Sequence, residues 1–306
     1  MSWFLIALLA SLCWSLTVHT DKFVLSRYFK SNGPGGYILF TSVVELVIVA
    51  AIFLTHHNAL SVPPHEIFFL LTSGAAYIIG LLFYVWAITK EEATRVSIVF
   101  QTIPVFTFII EYFFLHAFFT KFQLIGSVII LAGAILISID TDNITRKKVR
   151  LRRSALLLML ASSMLIAISW ILFRQGALAN DYWTSIAWQY TGCVFVGAIL
   201  FFGVGPYRRS FFSVLKNNGI GVILLNVANE LLNEGGNRLM SYAVLFVPVT
   251  LAQVTNSFQA VFVFLLGVVL TIFFPKISKE SISAKDIIQK ISAIIVMILG
   301  AWILGW

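Results

Sequence analysis

Ten apolar segments, each long enough to cross a membrane, take up most of this 306-residue chain. They cover residues 3–20, 36–55, 67–88, 94–116, 122–139, 154–173, 184–204, 219–242, 248–273 and 287–305, called spans 1 to 10 here. A bilayer core of about 30 Å requires about 20 apolar residues in a helix. Strands of a membrane barrel alternate in hydropathy over about ten residues, whereas these runs are continuously apolar. The chain is therefore expected to be an all-α membrane protein with ten transmembrane helices.

The composition excludes several other classes of protein. Apolar residues make up 59% of the chain and charged residues only 11%, whereas soluble domains carry about a quarter charged residues. The two cysteines, Cys13 and Cys193, are too few for a disulfide framework or a cysteine metal cage. The histidines follow no zinc-ligand spacing, and no phosphate-binding loop or catalytic motif is present. We expect no metal and no cofactor.

The distribution of Lys and Arg predicts the orientation in the membrane. Eighteen of the 21 basic residues follow odd-numbered spans, and the other three are Lys121, Arg174 and Arg238. Basic residues in short loops stay on the cytoplasmic side. Both termini are therefore expected outside a plasma membrane, with the bacterial inner membrane as the expected location. The net charge of +8 reflects this topology, so the lipid bilayer is the expected partner and nucleic acid is not.

The two halves of the chain resemble each other weakly. The basic run Arg146–Arg153 separates residues 1–142 from residues 154–306, with residues 143–153 as a cytoplasmic linker. At a separation of 156 positions, Trp86-Ala87-Ile88 matches Tyr242-Ala243-Val244 and Pro104-Val105-Phe106 matches Ala260-Val261-Phe262. In spans 5 and 10, Gly133-Ala134-Ile135-Leu136 corresponds to Gly300-Ala301-Trp302-Ile303. Because each half has an odd number of spans, the second half is expected to be inverted relative to the first, as in many transporters.

These features resemble the drug/metabolite transporter superfamily and, within it, the EamA-like family. The resemblance rests on the five-plus-five spans, the aromatic-Ala pairs, Pro104 and the Gly-Ala sequences of spans 5 and 10. The stretches Asp21–Ser26 and Pro248–Gln253 are also similar to bacterial members. The resemblance implies two inverted five-helix repeats around a central cavity and ATP-independent transport of a small organic metabolite. The chain departs from the family in one acidic residue, since Glu111 lies inside span 4 and Gly267 occupies the matching position of span 9.

Span 8 carries a polar stripe that cannot face lipid. Its members are Asn226, Asn229, Glu230, Asn233, Glu234, Asn237 and Ser241. At about 100° per residue they fall within an arc of about 140°, opposite Leu224, Val227 and Leu231. Unpaired amides and carboxylates in hydrocarbon cost several kcal/mol each, so the stripe lines either a cavity or a polar seam between helices. The two carboxylates favour a substrate cavity.

Other spans supply further candidate binding residues. Gln253 and Asn256 recur at helical spacing in span 9, Gln101 precedes Pro104 in span 4, and Trp14 in span 1 is a candidate cavity wall. Simpler roles remain open, namely a bend for Pro104 and an interfacial position for Trp14. Asp21 and Lys22 are expected to form a cytoplasmic gate or a helix end. Arg238 lies four residues after Glu234, within ion-pair reach, and forms an outer gate or extends to the interface.

Ionisable residues inside a membrane are functional candidates by default. The candidates for proton coupling are Glu230, Glu234, Glu45 and His19. Glu45 has no basic residue close in sequence, so a hydrogen bond to a neighbouring helix is its alternative role. For His19 the alternative is a packing role in which both ring nitrogens are satisfied.

The expected function is secondary active transport or export of a small polar, amino-acid-like metabolite by alternating access. Protons are the candidate coupling ion, and the protein is expected to act as a monomer or a homodimer. The alternative is a flippase or an intramembrane enzyme acting on a lipid-linked substrate, with Glu230 and Glu234 as acid and base. Because no Asp-rich motif or basic phosphate clamp accompanies these glutamates, we do not expect an enzyme.

Overall fold

The structure is a computed structural model that describes residues 2–29, 35–89, 99–138, 153–217, 219–273 and 284–304. Within these residues the chain is helical and has no strands. The helices are α1 (Ser2–Tyr28), α2 (Gly35–Thr55), α3 (Pro64–Ile88), α4 (Ile103–Phe113), α5 (Lys121–Ser138), α6 (Arg153–Ala177), α7 (Tyr182–Gly203), α8 (Gly205–Asn217), α9 (Ile220–Ala243), α10 (Val249–Asn256), α11 (Gln259–Phe273) and α12 (Ala284–Leu304). A short 3-10 turn, His57–Leu60, connects α2 to α3.

The expected all-helical membrane architecture is confirmed, with seven segments of the described chain long and apolar enough to span a bilayer. They are Trp3–Leu25, Gly35–Thr55, Pro64–Ile88, Arg153–Ala177, Tyr182–Gly203, Val249–Phe273 and Ile287–Leu304. The polar stripe lowers the hydropathy of α9, which corresponds to span 8. Spans 4 and 5 border residues 90–98 and 139–152, which lie outside the described part of the chain, so the count of seven applies to the described residues.

Spans 4 and 9 are interrupted, where the sequence predicted continuous helices. A turn at Gln101–Thr102 precedes α4, and a turn at Ser257–Phe258 separates α10 from α11. The Thr102 amide donates to the Val99 carbonyl at 3.0 Å and the Phe258 amide to the Thr255 carbonyl at 3.1 Å, so each break is closed by a tighter, three-residue turn. Pro104 lies in the first turn of α4, where its missing N–H leaves no internal bond unmade.

Close helix pairs hold the bundle together. Helix α3 packs on α6 and α7, α9 packs on α1, and α5 packs on α12. Between α3 and α7, a Cβ at Gly74 would lie 1.8 Å from the Gln189 carbonyl oxygen, so only glycine allows the two backbones to approach this closely. Membrane helices commonly pack through small residues in this way, because lipid tails leave no hydrophobic force between helices.

The α5–α12 pair crosses at two glycines. A Cβ at Gly126 would lie 2.7 Å from the Gly300 carbonyl oxygen, and a Cβ at Gly300 would lie 3.0 Å from the Gly126 carbonyl oxygen. A Cβ at Gly133 would lie 2.4 Å from Met297 and 3.1 Å from the Ala293 carbonyl oxygen. The backbones of α5 and α12 are therefore in contact along most of the crossing.

Glu111 joins α4 to the first turn of α10. Its two carboxylate oxygens accept hydrogen bonds from the amides of Val249 and Thr250 at 2.7 and 2.8 Å. The first amides of a helix have no partner within the helix, and a carboxylate is favoured there by the helix dipole. The acidic residue in span 4 thus has a structural partner, and this contact anchors the helix that follows Pro248.

Helix α8 is an amphipathic element that the span prediction treated as a loop. Its buried side carries Ser210, Phe211 and Val214, whereas Arg208 and Arg209 are exposed. Tyr207 packs against the start of α2, where a Cβ at Gly35 would meet the ring, and its hydroxyl accepts a hydrogen bond from Trp86 Nε1 at 3.1 Å. The basic residues of α8 therefore lie at the same end of the bundle as the start of α2 and the end of α3.

Replacing Gly126 by alanine tests the α5–α12 crossing. The new Cβ would lie 2.7 Å from main-chain atoms of Gly300 and Leu304, which move aside only if the helices separate. We expect Gly126→Ala to lower the free energy of unfolding by about 1–3 kcal/mol, measured by thermal unfolding in detergent. Gly221→Ala is the control, because no heavy atom lies within 4 Å of its Cβ. An unchanged midpoint for Gly126→Ala contradicts the packing described here.

Candidate functional site

The polar stripe of α9 faces the interior of the bundle. Asn226, Asn229, Glu230, Glu234, Asn237 and Ser241 are all at most 5% exposed, and Asn233 is half-buried. On the opposite face, Leu224 is 60% and Leu231 56% exposed. The helix therefore turns its amides and carboxylates inward and its leucines outward, as the sequence periodicity predicts. The partners of the stripe form two clusters with Glu45 beside them.

The first cluster, called the Asp21 cluster, joins α9 to α1 and α2. Asn229 Nδ2 donates to Asp21 Oδ1 at 2.6 Å, and the Tyr37 hydroxyl donates to the same oxygen at 2.5 Å. The next residue of α9, Glu230, accepts a hydrogen bond at Oε1 from Thr41 Oγ1 at 3.0 Å. Asp21 thus fastens α1 to the stripe, and its role as a gate stays a prediction.

The second cluster, called the Arg238 cluster, joins α9 to α3 and α7. Arg238 Nη2 lies 3.1 Å from Glu234 Oε2, and the same carboxylate accepts a hydrogen bond from the Tyr190 hydroxyl. Asn237 Nδ2 donates to Glu234 Oε1 at 3.2 Å and to the Tyr77 hydroxyl at 3.1 Å. The Arg238 guanidinium also lies over the Tyr190 ring, 3.9 Å from its centroid.

Arg238 therefore points into the bundle. It does not extend to the membrane–water interface, which was one of the two alternatives drawn from the sequence. Only 19% of its side chain is exposed, and its Nε and Nη1 have no hydrogen-bond partner. The main chain of Arg238 is also held, because the Tyr182 hydroxyl donates a hydrogen bond to the Arg238 carbonyl at 2.7 Å. The arginine neutralises Glu234 inside the bundle, and Tyr190 covers it.

Glu45 is a buried carboxyl group whose hydrogen-bonding capacity is largely unused. It is 0% exposed, and apart from a weak contact with the Cys193 thiol neither Oε1 nor Oε2 has a hydrogen-bond partner. Its electrostatic neighbours are Glu234 and Glu230 on α9, the Cys193 thiol on α7, and Arg238. The structure thus brings three carboxyl groups from α2 and α9 together. An unpaired polar group in this position costs free energy, which marks it as a functional candidate.

Trp14 covers the middle of the stripe. A Cβ at Gly236 would lie 2.8 Å from Trp14 Nε1, so the absence of a side chain at Gly236 lets the indole pack against α9. On its other side Trp14 meets Trp170 of α6 edge-on, with 6.3 Å between the ring centroids. Trp14 thus lies between α9 and α6, and its role as a cavity wall stays a prediction.

The remaining predicted residues lie around this centre. Gln253 is buried on α10, and Asn256 accepts a hydrogen bond from Ser11 of α1 at 3.0 Å. Gln101 is half-buried at the turn before α4. Asn233 lies beside Glu230 and the Tyr77 hydroxyl. The side chain of His19 lies outside the described part of the chain, and the binding role of each of these residues stays a prediction.

Sequence reasoning missed four hydroxyl-bearing partners of the stripe, which are Tyr37, Thr41, Tyr77 and Tyr190. Each lies in an otherwise apolar span, where a tyrosine resembles the neighbouring phenylalanines in composition. One signal was available, because buried tyrosine hydroxyls need a hydrogen-bond partner and the stripe of α9 is the largest set of acceptors in the chain. The partner of each tyrosine depends on the packing of distant helices and is visible only in the structure.

The site has more acidic than basic groups among the side chains described around it. Asp21, Glu45, Glu230 and Glu234 contribute carboxyl groups, and Arg238 contributes one guanidinium. Within the described ranges, no three His, Cys, Asp or Glu residues are placed to hold a metal ion. The arrangement has the means to bind a polar solute through amide and carboxyl oxygens, with tyrosines and Trp14 as walls.

An inward-facing polar helix within an all-helical membrane bundle defines the class, a polytopic helical membrane protein. Residues 1–139 match the model of the EamA-like transporter family, which belongs to the drug/metabolite transporter superfamily, so the resemblance drawn from the sequence is confirmed over these residues. This family comprises membrane transporters and not enzymes. A search of curated proteins gave no match.

Solved structures show that the fold recurs. Twenty-four chains match, and one of them, titled "Crystal structure of protein", aligns with 99% of this chain and 95% of its own length. The TM-score is 0.66 and the sequence identity 16%. At this identity the likeness establishes a shared fold over nearly the whole chain.

Replacing Arg238 tests the Arg238 cluster. Arg238→Gln leaves the Glu234 carboxylate buried without its cation, and removing one partner of a buried ion pair costs about 3 kcal/mol or more. We expect a lower thermal unfolding midpoint in detergent, and a smaller additional loss when Glu234→Gln is combined with it, because the pair is coupled. Arg209→Gln on the exposed face of α8 is the matched control. Equal midpoints for Arg238→Gln and Arg209→Gln contradict a buried pair.

Proposed function

We propose that this protein is a secondary transporter that moves a small polar, amino-acid-like metabolite across the membrane by alternating access. The observation that carries the proposal is the buried stripe of α9, whose amides and carboxyl groups are held by helices from both halves of the chain. Asp21, Tyr37 and Tyr77 reach it from the first half and Tyr190 from the second. A polar site between two halves near the bilayer midplane is the usual transporter arrangement.

The helix breaks support two inverted repeats, residues 1–142 and 154–306. The break at Gln101–Thr102 and the break at Ser257–Phe258 are separated by 156 positions, the same separation that relates Trp86 to Tyr242 in the sequence. Interrupted helices at corresponding positions of two halves are characteristic of transporter binding regions. The family match, residues 1–139, ends close to the boundary of the first repeat.

The helix contacts support the same repeats. Helix α3 (span 3) packs on α6 (span 6). When the two halves are exchanged, span 3 corresponds to span 8 and span 6 to span 1. The corresponding helices, α9 and α1, also pack on each other. In the α5–α12 crossing, Gly133 approaches the Ala293 carbonyl and Gly300 approaches the Gly126 carbonyl. A shift of 167 positions aligns Gly133 with Gly300 and Gly126 with Ala293. The two contacts are therefore the same contact made once from each helix, as a pair of inverted helices requires.

Alternating access requires α9 to change partners at its two ends in turn. The Asp21 cluster lies near the cytoplasmic end of the proposed topology and the Arg238 cluster near the outer end. In this proposal, loss of the contacts of Asn229 with Asp21 and Tyr37 opens the cytoplasmic side. Loss of the contacts of Glu234 with Tyr190 opens the outer side. Both clusters are closed in the structure, and in this proposal that arrangement is the occluded state.

Proton coupling is assigned to the three central carboxyl groups, Glu45, Glu230 and Glu234. Carboxyl groups inside a membrane exchange protons when their surroundings change, and they mark proton pathways in transporters. Glu45 is the first candidate because its one side-chain hydrogen-bond partner is the weak Cys193 thiol. Helix movement at α9 changes the distance from Glu45 to Glu230 and Glu234, which links its proton to the transport cycle.

The proposed topology has both termini outside a plasma membrane. The basic helix α8, the start of α2 and the end of α3 share one end of the bundle. At the other end, Trp188 Nε1 donates to the Ala59 carbonyl at 2.7 Å and Asn180 Nδ2 to Glu66 Oε2 at 2.6 Å. The positive-inside rule assigns the first end to the cytoplasm.

Cysteine accessibility in intact cells tests this topology. Leu60 is 73% exposed in the turn between α2 and α3, and Lys216 is exposed on α8. We expect a membrane-impermeant maleimide to label Leu60→Cys in intact cells and Lys216→Cys only after permeabilisation. The parent protein, whose Cys193 is buried, is the background control. The reverse pattern contradicts the proposed orientation.

Solute transport in liposomes tests the proposed function. Purified protein is reconstituted with an internal pH dye and offered amino acids, polyamines, sugars and nucleosides with and without a pH gradient. We expect at least one solute to move protons with the wild type, and Glu230→Gln to reduce this flux at least tenfold, because about 1.4 kcal/mol in the transition state corresponds to a factor of ten.

Glu66→Gln is the matched control, because Glu66 contacts Asn180 at the end of the bundle, away from the stripe, and its flux is expected to equal the wild type. Solute flux unaffected by both the pH gradient and Glu230→Gln leaves a facilitator and rejects proton coupling through Glu230. No flux for any solute, together with scrambling of a labelled lipid-linked head group, favours the flippase alternative. Release of a chemically altered lipid favours the enzyme.

A further inference from the structure

The stripe is short of hydrogen-bond donors. Among the described buried atoms of the stripe, five oxygens lack a partner, namely Oδ1 of Asn226, Asn229 and Asn237, Oε2 of Glu230 and Oγ of Ser241. Beside them, Glu45 on α2 contributes two more carboxyl oxygens. Of these seven oxygens, only the Ser241 hydroxyl is also a donor whatever the protonation of its neighbours. The unpaired nitrogens of the surrounding side chains are Nε and Nη1 of Arg238 and Nε2 of Gln253, and the Arg238 guanidinium already faces Glu234 and the Tyr190 ring.

The orientation of the three asparagines follows from their partners. Asn229 donates its amide nitrogen to the Asp21 carboxylate, Asn237 to the Glu234 carboxylate, and Asn226 to the Val222 main-chain carbonyl at 2.8 Å. Each of these partners is a hydrogen-bond acceptor. If the amide group were rotated by 180°, its oxygen would face that acceptor and the two would repel each other. The amide nitrogens are therefore committed, and the carbonyl oxygens are the free groups.

These oxygens are buried deeply enough to require a partner. Asn226 is 1%, Glu230 2% and Glu45 0% exposed, and a buried acceptor left unpaired has lost its hydration without a replacement. The missing partner is a donor, because the three amide oxygens only accept and the carboxyl oxygens accept when they are ionised. Among the described side chains around these unpaired oxygens there are four carboxyl groups and one guanidinium. A positively charged donor is therefore favoured over a neutral one.

The acceptors also extend along the helix. From Asn226 to Asn237 the chain rises about 16 Å at about 1.5 Å per residue. One ammonium group reaches only a few of these oxygens, since its donors diverge from a single atom. A chain with nitrogen donors at both ends reaches oxygens on successive turns of the stripe, which a single ammonium group does not.

We infer that the stripe binds an organic cation with several N–H donors, an amine or guanidine, and that this class is the transported solute if the proposed transport function holds. The free oxygens of Asn226, Asn229, Glu230 and Glu45 receive its N–H groups, and Trp14 covers its hydrocarbon part. This narrows the substrate from a polar metabolite in general to a nitrogenous cation.

Binding to purified protein in detergent tests the inference with four small probes. They are 1,4-diaminobutane, its neutral analogue 1,4-butanediol, the anionic analogue butanedioate, and tetramethylammonium, which carries charge without an N–H donor. We expect 1,4-diaminobutane to bind by calorimetry and the other three to bind at least about tenfold more weakly, as the loss of one charge-assisted hydrogen bond implies. Equal binding of the diol, the dianion or tetramethylammonium overturns the inference, and so does no binding of the diamine up to about 10 mM.

Variants locate the binding site. Glu230→Gln replaces a free acceptor by a group with donors, and we expect it to weaken diamine binding at least about tenfold. Asn226→Leu removes one free acceptor without a change of charge and serves as the second variant if Glu230→Gln does not fold. Glu66→Gln is the control with the same loss of charge and is expected to bind as the wild type does. Unchanged diamine binding in both stripe variants overturns the assignment.

Flux of the same four probes in liposomes separates this inference from the proposed function. Flux of the diol or dianion that is lost in Glu230→Gln rejects the cation assignment and retains the transporter. Diamine binding that requires Glu230, without flux of any of the four probes or the earlier panel, retains the cation site and rejects the transporter. Diamine flux that requires Glu230 supports both.

Discussion

The cost of an unpaired polar group in hydrocarbon determines how this bundle is assembled. Helix α9 carries amides and carboxyl groups along about three turns, and lipid has nothing to offer them. The stripe must therefore be covered by protein, and α1, α2, α3 and α7 supply the cover through Asp21, Tyr37, Tyr77 and Tyr190. Close approach of α1 depends on Gly236, where the Trp14 indole takes the space of a side chain.

The same cost applies to the backbone where spans 4 and 9 are interrupted. A helix break in a membrane frees amides and carbonyls that lipid cannot bind. The tight turns at Thr102 and Phe258 recover some of these bonds. At the start of α10 the solution is different, because Glu111 of α4 accepts the Val249 and Thr250 amides.

Much of the site follows from local periodicity, and the sequence therefore predicts it. The inward face of α9 depends only on the helical repeat, and the Glu234–Arg238 pair only on a spacing of four residues. The tyrosine partners depend on the packing of distant helices, which residue spacing does not encode. Helix α8 was missed because its polar residues look like a loop until their helical period is considered. The break at Ser257–Phe258 contains neither Pro nor Gly, so no local residue predicts it. Its one sequence signal is the separation of 156 positions from Gln101–Thr102.

In the proposed transport cycle, the unequal sharing of donors and acceptors decides which solutes fit the stripe. The Asp21 and Arg238 clusters hold α9 on both sides of Glu230 and Glu234, and a ligand shifts a conformational equilibrium only through contacts that differ between states. The side-chain nitrogens of Asn226, Asn229 and Asn237 already hold α9 to its neighbours or to its own backbone, whereas the oxygens beside them are free. A solute that brings donors therefore pairs with the stripe without competing for the contacts that close it. A solute that brings acceptors must instead compete for the asparagine nitrogens. It therefore binds only when the hydrogen bonds that hold the two clusters closed are broken.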